Sequence, residues 1–467
     1  MPEPRMWQLT AGSAALGLAL AAGAVAAAGP WDSGQRTAER ARAAAPATGG
    51  ARHAPVPAPA PPRRPAPAPS APGVLTALHA PAPAAPPADL AARLGPLLAD
   101  PGLGPRRTAS VVDTATGRQL YGAGATTPMT PASTVKIATA AAALSALGPD
   151  HRIATTATAT PDGRTVTLTG GGDPTLDRAR LKELATATAR ALTARGHTSV
   201  RLTYDTHLYQ GPALHPIGPN ENIAPVVALM TDEGRLDDSD SGPAPRTADP
   251  AGDTATAFAD HLTEAGVKVT GTPEPGRTPK AAPLARTLSA PLADLVERTL
   301  THSDNDLAEA LARQTALARE KPAGFDGAAT AVREELARLG LPVTGARFAD
   351  GSGLDRRDRV SAALLTGLLT RAADPARPAL RPLLTGLPVG GFTGTLAGRF
   401  DTAPATEGAG LVRAKTGTLT GVNTLAGTVV TADGRLLAFA FLAAGTLSPY
   451  EAQPALDRLS AALAARD

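Results

Sequence analysis

The stretch Thr130-Pro131-Ala132-Ser133-Thr134-Val135-Lys136 limits what this chain can fold into more than any other. Thr130 suits a helix N-cap, and Pro131 suits the first helical position because the N–H it lacks would have no partner there. The pattern predicts a helix from about Thr130 to Leu147, stopped by Gly148-Pro149. Ala138 to Leu147 is apolar on nearly every side, as in a helix packed on all faces. Ser133 then lies in the first turn, where backbone N–H groups point outward unpaired. Lys136 follows one turn along on the same face. A hydroxyl, free N–H donors and an amine together are the starting set for acyl transfer. Taken alone, Ser-x-x-Lys fits a capped core helix with a surface lysine equally well. The chain's usage tips the balance: of 45 basic side chains only six are lysines. A lysine retained at 136 is suited to what arginine cannot do, which is to lose a proton.

Several chemistries are excluded. With no cysteine, there are no disulfides, thiolate metal sites or cysteine nucleophile. The eight histidines form no His-x-x-x-His pair, which argues against a zinc peptidase. No Gly-x-Ser-x-Gly elbow and no phosphate- or dinucleotide-binding glycine loop occurs, so neither a metal nor a cofactor is expected. A net charge of +3 over 467 residues does not point to nucleic acid, and no basic patch interleaved with aromatics supports it.

Composition divides the chain. Residues 1–29 contain an uncharged Ala/Gly/Leu/Val run, Ala11 to Gly29, that reads as an export signal peptide or an N-terminal membrane anchor. Residues 30–88 are Ala/Pro-rich and cannot bury enough apolar surface to fold; they read as a disordered, extended linker. Folded structure is expected from Asp89, with residues 89–150 and 286–467 forming the main domain and 151–285 an inserted α/β subdomain. Thr108–Asp113 and Arg118–Tyr121 read as a hairpin. Ser303 and Asn305 fall in a short loop between helices, and Asp350–Leu354 in a turn. Val422–Thr431 and Arg435–Ala444 pair through Asp433-Gly434, with Gly410–Thr416 beside them. These strands make one mainly antiparallel sheet flanked by helices, an α/β (α+β) class.

Ser133-Thr134-Val135-Lys136, Ser303-Asp304-Asn305 and Lys415-Thr416-Gly417 each occur once, at a helix start, an inter-helix loop and a sheet strand. In that order and setting they resemble the active-site set of penicillin-binding proteins and serine β-lactamases. Gly171–Leu176, Asn222–Pro225 and Asp350–Leu354 sharpen the likeness to the low-molecular-mass D-alanyl-D-alanine carboxypeptidase/endopeptidase family S13. The resemblance implies the penicillin-recognising serine transpeptidase/β-lactamase-like fold and a Ser133 acyl-enzyme. The substrates implied are peptidoglycan stem peptides, with β-lactams as inhibitors and membrane contact confined to the N-terminal segment. Lys136 serves as base, its proton affinity lowered by burial and by a second cation, Lys415. Ser303 relays a proton, Asn305 binds a substrate amide, and Thr416, Gly417 and Thr418 bind substrate. The sequence leaves two rivals, a serine β-lactamase and a non-catalytic wall-binding protein on the same fold. No Glu-x-x-Leu-Asn follows Ser303, which disfavours the first, and intact motifs disfavour the second.

Overall fold

The structure is a computed structural model describing residues 90–464. The export segment expected at 1–29 and the linker expected at 30–88 lie outside the described residues. Among the described residues no helix is long and apolar enough to cross a membrane.

Helix α1 (Leu90–Leu98) leads to the hairpin of β1 (Arg106–Asp113) and β2 (Gln119–Ala123). A 3-10 turn at Ala132–Val135 runs into α2 (Lys136–Leu147). Next come β3 (Ala154–Ala159), β4 (Thr165–Thr169), α3 (Arg178–Thr193) and β5 (Ser199–Asp205). An irregular stretch precedes α4 (Pro250–Glu264) and three short strands, β6 (Lys268–Val269), β7 (Glu274–Pro275) and β8 (Ala285–Leu288). Helices α5 (Leu292–His302), α6 (Asn305–Ala318), α7 (Phe325–Arg338) and α8 (Ala362–Ala373) follow, with the single turn α9 (Pro382–Thr385). The end of the chain is β9 (Val412–Leu419), β10 (Val422–Val430), β11 (Leu436–Ala444) and α10 (Pro449–Ala461).

Two sheets result. The first, β2-β1-β11-β10-β9, is antiparallel throughout, so the strands nearest the two ends of the folded region meet at β1 and β11. Strand β11 is apolar at every position because both of its faces are covered. Phe439, Phe441 and Ala443 join a core with α1 and α10, while Ala438, Ala440 and Leu442 join the core around α2 and α8. Period-two alternation thus distributes one strand between two cores. The second sheet, β6-β5-β4-β3-β8 with β7 beside β5, is mixed. Its β4 and β5 are parallel, with α3 as the crossover that parallel pairing requires. Strand β8 pairs with β3, so this sheet extends to Leu288.

Helix α2 is central. Lys136 to Leu144 are all buried, and alanine at most of these positions lets α6 and α7 pack closely on it. Its start differs from the expected capped turn. Thr130 does not cap; its hydroxyl accepts from Arg359 Nη1 at 2.9 Å instead. The Pro131 carbonyl is held by the hydroxyls of Thr134 and, from β10, Thr424, both at 2.7 Å. Tertiary hydrogen bonds therefore replace the local cap, and the chain enters as a 3-10 turn with Ala132 at φ 47°.

Candidate active site

Ser133 lies in the 3-10 turn and Lys136 opens α2, one turn away, so the two side chains meet by helical spacing. Lys136 Nζ is 3.0 Å from Ser133 Oγ, 2.7 Å from Asn305 Oδ1 and 2.6 Å from the Ser352 carbonyl. Asn305 is the first residue of α6 rather than a loop residue, and its Nδ2 donates to the Asn222 carbonyl at 2.9 Å. That bond fixes the amide so that its oxygen faces Lys136.

The Lys136 amine is fully buried, and burial lowers its pKa to about 8 against the opposing pull of Asp350, Asp304, Glu309 and Asp358. Burial is the first cause of the Lys136 shift, and the repulsion between the two amines is expressed at Lys415. Lys415 is itself pushed well below the ordinary lysine range, first by burial and then by Lys136. The two amines also differ in their surroundings. Lys136 has three acceptors and four nearby carboxylates, whereas Lys415 Nζ donates to the Thr416 carbonyl at 2.8 Å. A proton added to the pair is therefore held at Lys136.

The loop from Asp350 to Asp358 presents the Ser352 carbonyl. Asp350 accepts from Gly353 N and Asp355 N, each at 2.7 Å, and from Ser352 Oγ at 3.0 Å. Glu309 Oε1 accepts from Gly351 N at 2.9 Å and Ser352 N at 3.0 Å. Ser352 is thus a buried turn residue, as the sequence suggests. Gly353, at φ 84°, sits where a Cβ would be 2.1 Å from the Ala132 carbonyl, against the turn that carries Ser133.

A cavity of about 280 Å³ opens beside Ser133. Ser303, Asn305 and Thr418 line it, as do Thr395 and residues of the irregular stretch after β5, among them Asn222 and Ser241. Ser303 caps α5 in the left-handed conformation at φ 60°, and Asp304 caps α6 by accepting from Leu307 N. Gly417 is a close-approach position: a Cβ there would meet Thr424 Oγ1 at 2.2 Å, Pro131 O at 2.7 Å and Ser133 N at 3.1 Å. Its lack of a side chain lets β9 lie against the Ser133 turn. The Thr416 hydroxyl donates to Thr395 Oγ1 at 2.9 Å, and it is Thr395 and Thr418 that line the cavity.

Sequence reasoning missed Thr395 and the support behind Ser303. Glu233 pairs with Arg235 at 2.9 Å and with Arg298, which also reaches Asp304. Arg246 pairs with Asp306 at 3.0 Å. Burial, then Asp304, raises the Glu233 carboxyl to about 9, and burial brings Asp306 to about 7. The positive φ of Glu233, 55°, carries no local sequence signal.

The chain is similar to known proteins along most of its length. The profile of the D-Ala-D-Ala carboxypeptidase 3 (S13) family matches residues 90–240 and 237–465. Carboxypeptidase DacB of Mycolicibacterium smegmatis is 37% identical over 412 residues, 84% of this chain and 87% of that protein. The D-alanyl-D-alanine carboxypeptidase of Actinomadura sp. is 30% identical over 438 residues, 76% and 80% of the two chains. Among solved structures, penicillin binding protein 4 (dacB) of Haemophilus influenzae superposes with a TM-score of 0.65 at 22% identity, over 80% of this chain and 97% of that one. That likeness speaks for the fold.

Proposed function

Since this chain belongs to the D-Ala-D-Ala carboxypeptidase 3 (S13) family and is a serine D-Ala-D-Ala carboxypeptidase, we propose that Ser133 is its nucleophile and Lys136 its base, acting on the terminal D-Ala-D-Ala bond of peptidoglycan stem peptides. Such a wall peptidase acts outside the cytoplasm. One observation carries the assignment of base. Two of the three Lys136 partners, Asn305 Oδ1 and Ser352 O, are carbonyl oxygens and can only accept. A neutral amine has two N–H bonds and one lone pair. With both N–H bonds directed at those carbonyls, the lone pair is left for the Ser133 hydroxyl, 3.0 Å away. Serine is a weak nucleophile until a base takes its proton, and this arrangement provides one.

In the reaction, Ser133 Oγ bonds to the carbonyl carbon of the penultimate D-alanine as its proton passes to Lys136 Nζ. The oxyanion is received by the backbone N–H groups of Ser133 and Thr418, a contribution on the order of 10²–10³ in rate per donor. The proton held on Lys136 passes by way of Ser303, which gives one proton and takes one back, to the leaving amine; the C–N bond breaks, D-alanine departs and Lys136 is neutral again. Water then hydrolyses the ester and restores Ser133. Asn305 binds a substrate amide, and Thr418 with Thr395 holds the terminal carboxylate, Thr416 orienting Thr395. The β-lactam ring opens on Ser133 in the same way, which makes β-lactams inhibitors. Residues 1–29 carry export or anchoring, residues 30–88 act as spacer, and the segment 151–285 is an inserted subdomain contributing one wall of the cavity.

Digestion of purified muropeptides with product masses tests the reading. Pentapeptide stems should each lose one alanine. Cleavage of cross-linked dimers to monomers would add endopeptidase action at the same site. Pentapeptides left intact while the enzyme is folded would refute the assignment.

A further inference from the structure

His215 lies in the irregular stretch after β5, yet it is buried against the loop that serves Lys136. Its Nε2 is 3.0 Å from Asp350 Oδ2, and its ring meets Phe325 edge-on at 5.3 Å. The Ile217 N–H donates to Nδ1 at 3.3 Å. Nδ1 is therefore the bare nitrogen, and Nε2 carries the hydrogen given to Asp350. The other charged groups here are already committed. Glu309, 3.9 Å from His215 Nε2, takes two backbone N–H groups and Arg313, while Asp355 pairs with Arg357.

We propose that His215 is a positioning residue for this reaction, pinning Asp350 and, through it, the turn whose Ser352 carbonyl orients the Lys136 amine. The chain of contact is continuous: His215 to Asp350 at 3.0 Å, Asp350 to the Gly353 N–H at 2.7 Å, and Ser352 O to Lys136 at 2.6 Å. Acidic neighbours give it a second effect. Asp350 and Asp358 are close neighbours, the Asp350 N–H donating to Asp358 Oδ1 at 3.4 Å. Burial alone would raise Asp350, but the hydrogen bond from His215 and contact with Asp358 hold it well below the usual range. Burial, then Asp350, pushes Asp358 well above it. His215 thereby favours the negative charge on Asp350, which ranks first among the carboxylates that favour the Lys136 cation, ahead of Asp304, Glu309 and Asp358.

This inference rests on Lys136 as base. Its test is the pH dependence of the second-order rate of penicillin acylation in wild type, His215→Phe and His215→Gln, with thermal melts alongside. In wild type the rate should rise with pH as Lys136 loses its proton. In His215→Phe the plateau should fall roughly 10- to 100-fold, as misplacement of a catalytic group does. Its acid limb should also move to lower pH by about half a unit, because Asp350 loses the hydrogen bond that favours its charge and the Lys136 cation is held less well. His215→Gln keeps an N–H donor and should restore much of both; if His215→Phe does not fold, His215→Leu, which also lacks the donor, is read in its place. A flat wild-type profile would defeat the assignment of Lys136 and leave the reading of the fold intact. A normal wild-type limb left unmoved in folded variants, with only the melting temperature lowered, would overturn the role of His215.

Discussion

Replacing Ser133 with alanine is expected to abolish covalent labelling by a fluorescent penicillin and to cut D-alanine release by a factor on the order of 10⁴–10⁶, as loss of a catalytic serine does. The protein should remain folded. The described side-chain contact of Ser133 Oγ is with Lys136 Nζ, and the amine keeps two acceptors when it is lost. One hydrogen bond of this kind is worth about 0.5–1.5 kcal/mol, too little to unfold a domain with two large cores. Ser352 cannot substitute. It is fully buried and its Oγ donates to Asp350. Mass spectrometry of the labelled, digested protein checks the result. An adduct that survives the substitution, or one that moves to the Ser352 peptide, would contradict it.

Lys136 should yield the second large effect. Lys136→Met removes the base, and acylation should fall by about 10²–10⁴, the usual worth of a positioned proton acceptor. Lys136→Arg should do no better, since a guanidinium does not deprotonate. In wild type the sign follows from burial, which lowers this amine to about 8. The reactive form is neutral, so acylation should climb through pH 8 and level off above it. Two units below that midpoint only about one amine in a hundred is neutral, and the rate at pH 6 should be about 100-fold below the plateau. The residual rate in Lys136→Met should lack this limb. Stopped-flow acylation across pH 5.5 to about 9.5 provides the comparison. A limb that persists in Lys136→Met would assign the titration to another group.

What was legible in the sequence and what was not divide along physical lines. Ser133 and Lys136 sit three residues apart, and helical spacing alone brings them together. The β1–β2 hairpin and the β10–β11 hairpin each announce themselves by a Gly turn between two strand-forming runs. The start of α2 was misread because Thr130 has the chemistry of a cap but is diverted to Arg359, a partner 229 residues away. Helix α8 was passed over, although Ser361 caps it by accepting from Leu364 N and its leucines have helical spacing. The electrostatics of Lys136 and Lys415 was legible only in part. Sequence shows that two lysines share a site but not how deeply each is buried, and burial decides the outcome. Thr395, Glu233 and His215 stand in loops whose positions are fixed by contacts across the fold. Glu233 meets Arg298 from α5, and His215 meets Asp350. No periodicity encodes such pairs.

The central claim is a serine carboxypeptidase whose acyl-enzyme with penicillin outlives its acyl-enzyme with peptide. A β-lactamase built on the same site needs a carboxylate holding a water against the ester. Among the described residues, three buried acids near Ser133 are already engaged: Glu309 by Arg313 and two N–H groups, Asp304 by Arg298 and the α6 cap, Asp306 by Arg246. The most direct measurement mixes the enzyme with a small molar excess of penicillin and follows ring opening, while a parallel sample receives a D-Ala-D-Ala peptide. The account predicts a burst of about one equivalent of opened penicillin followed by near silence for minutes, an adduct on Ser133, and many turnovers of D-alanine from the peptide. Sustained penicillin hydrolysis at many turnovers per second, with no D-alanine released, would contradict it.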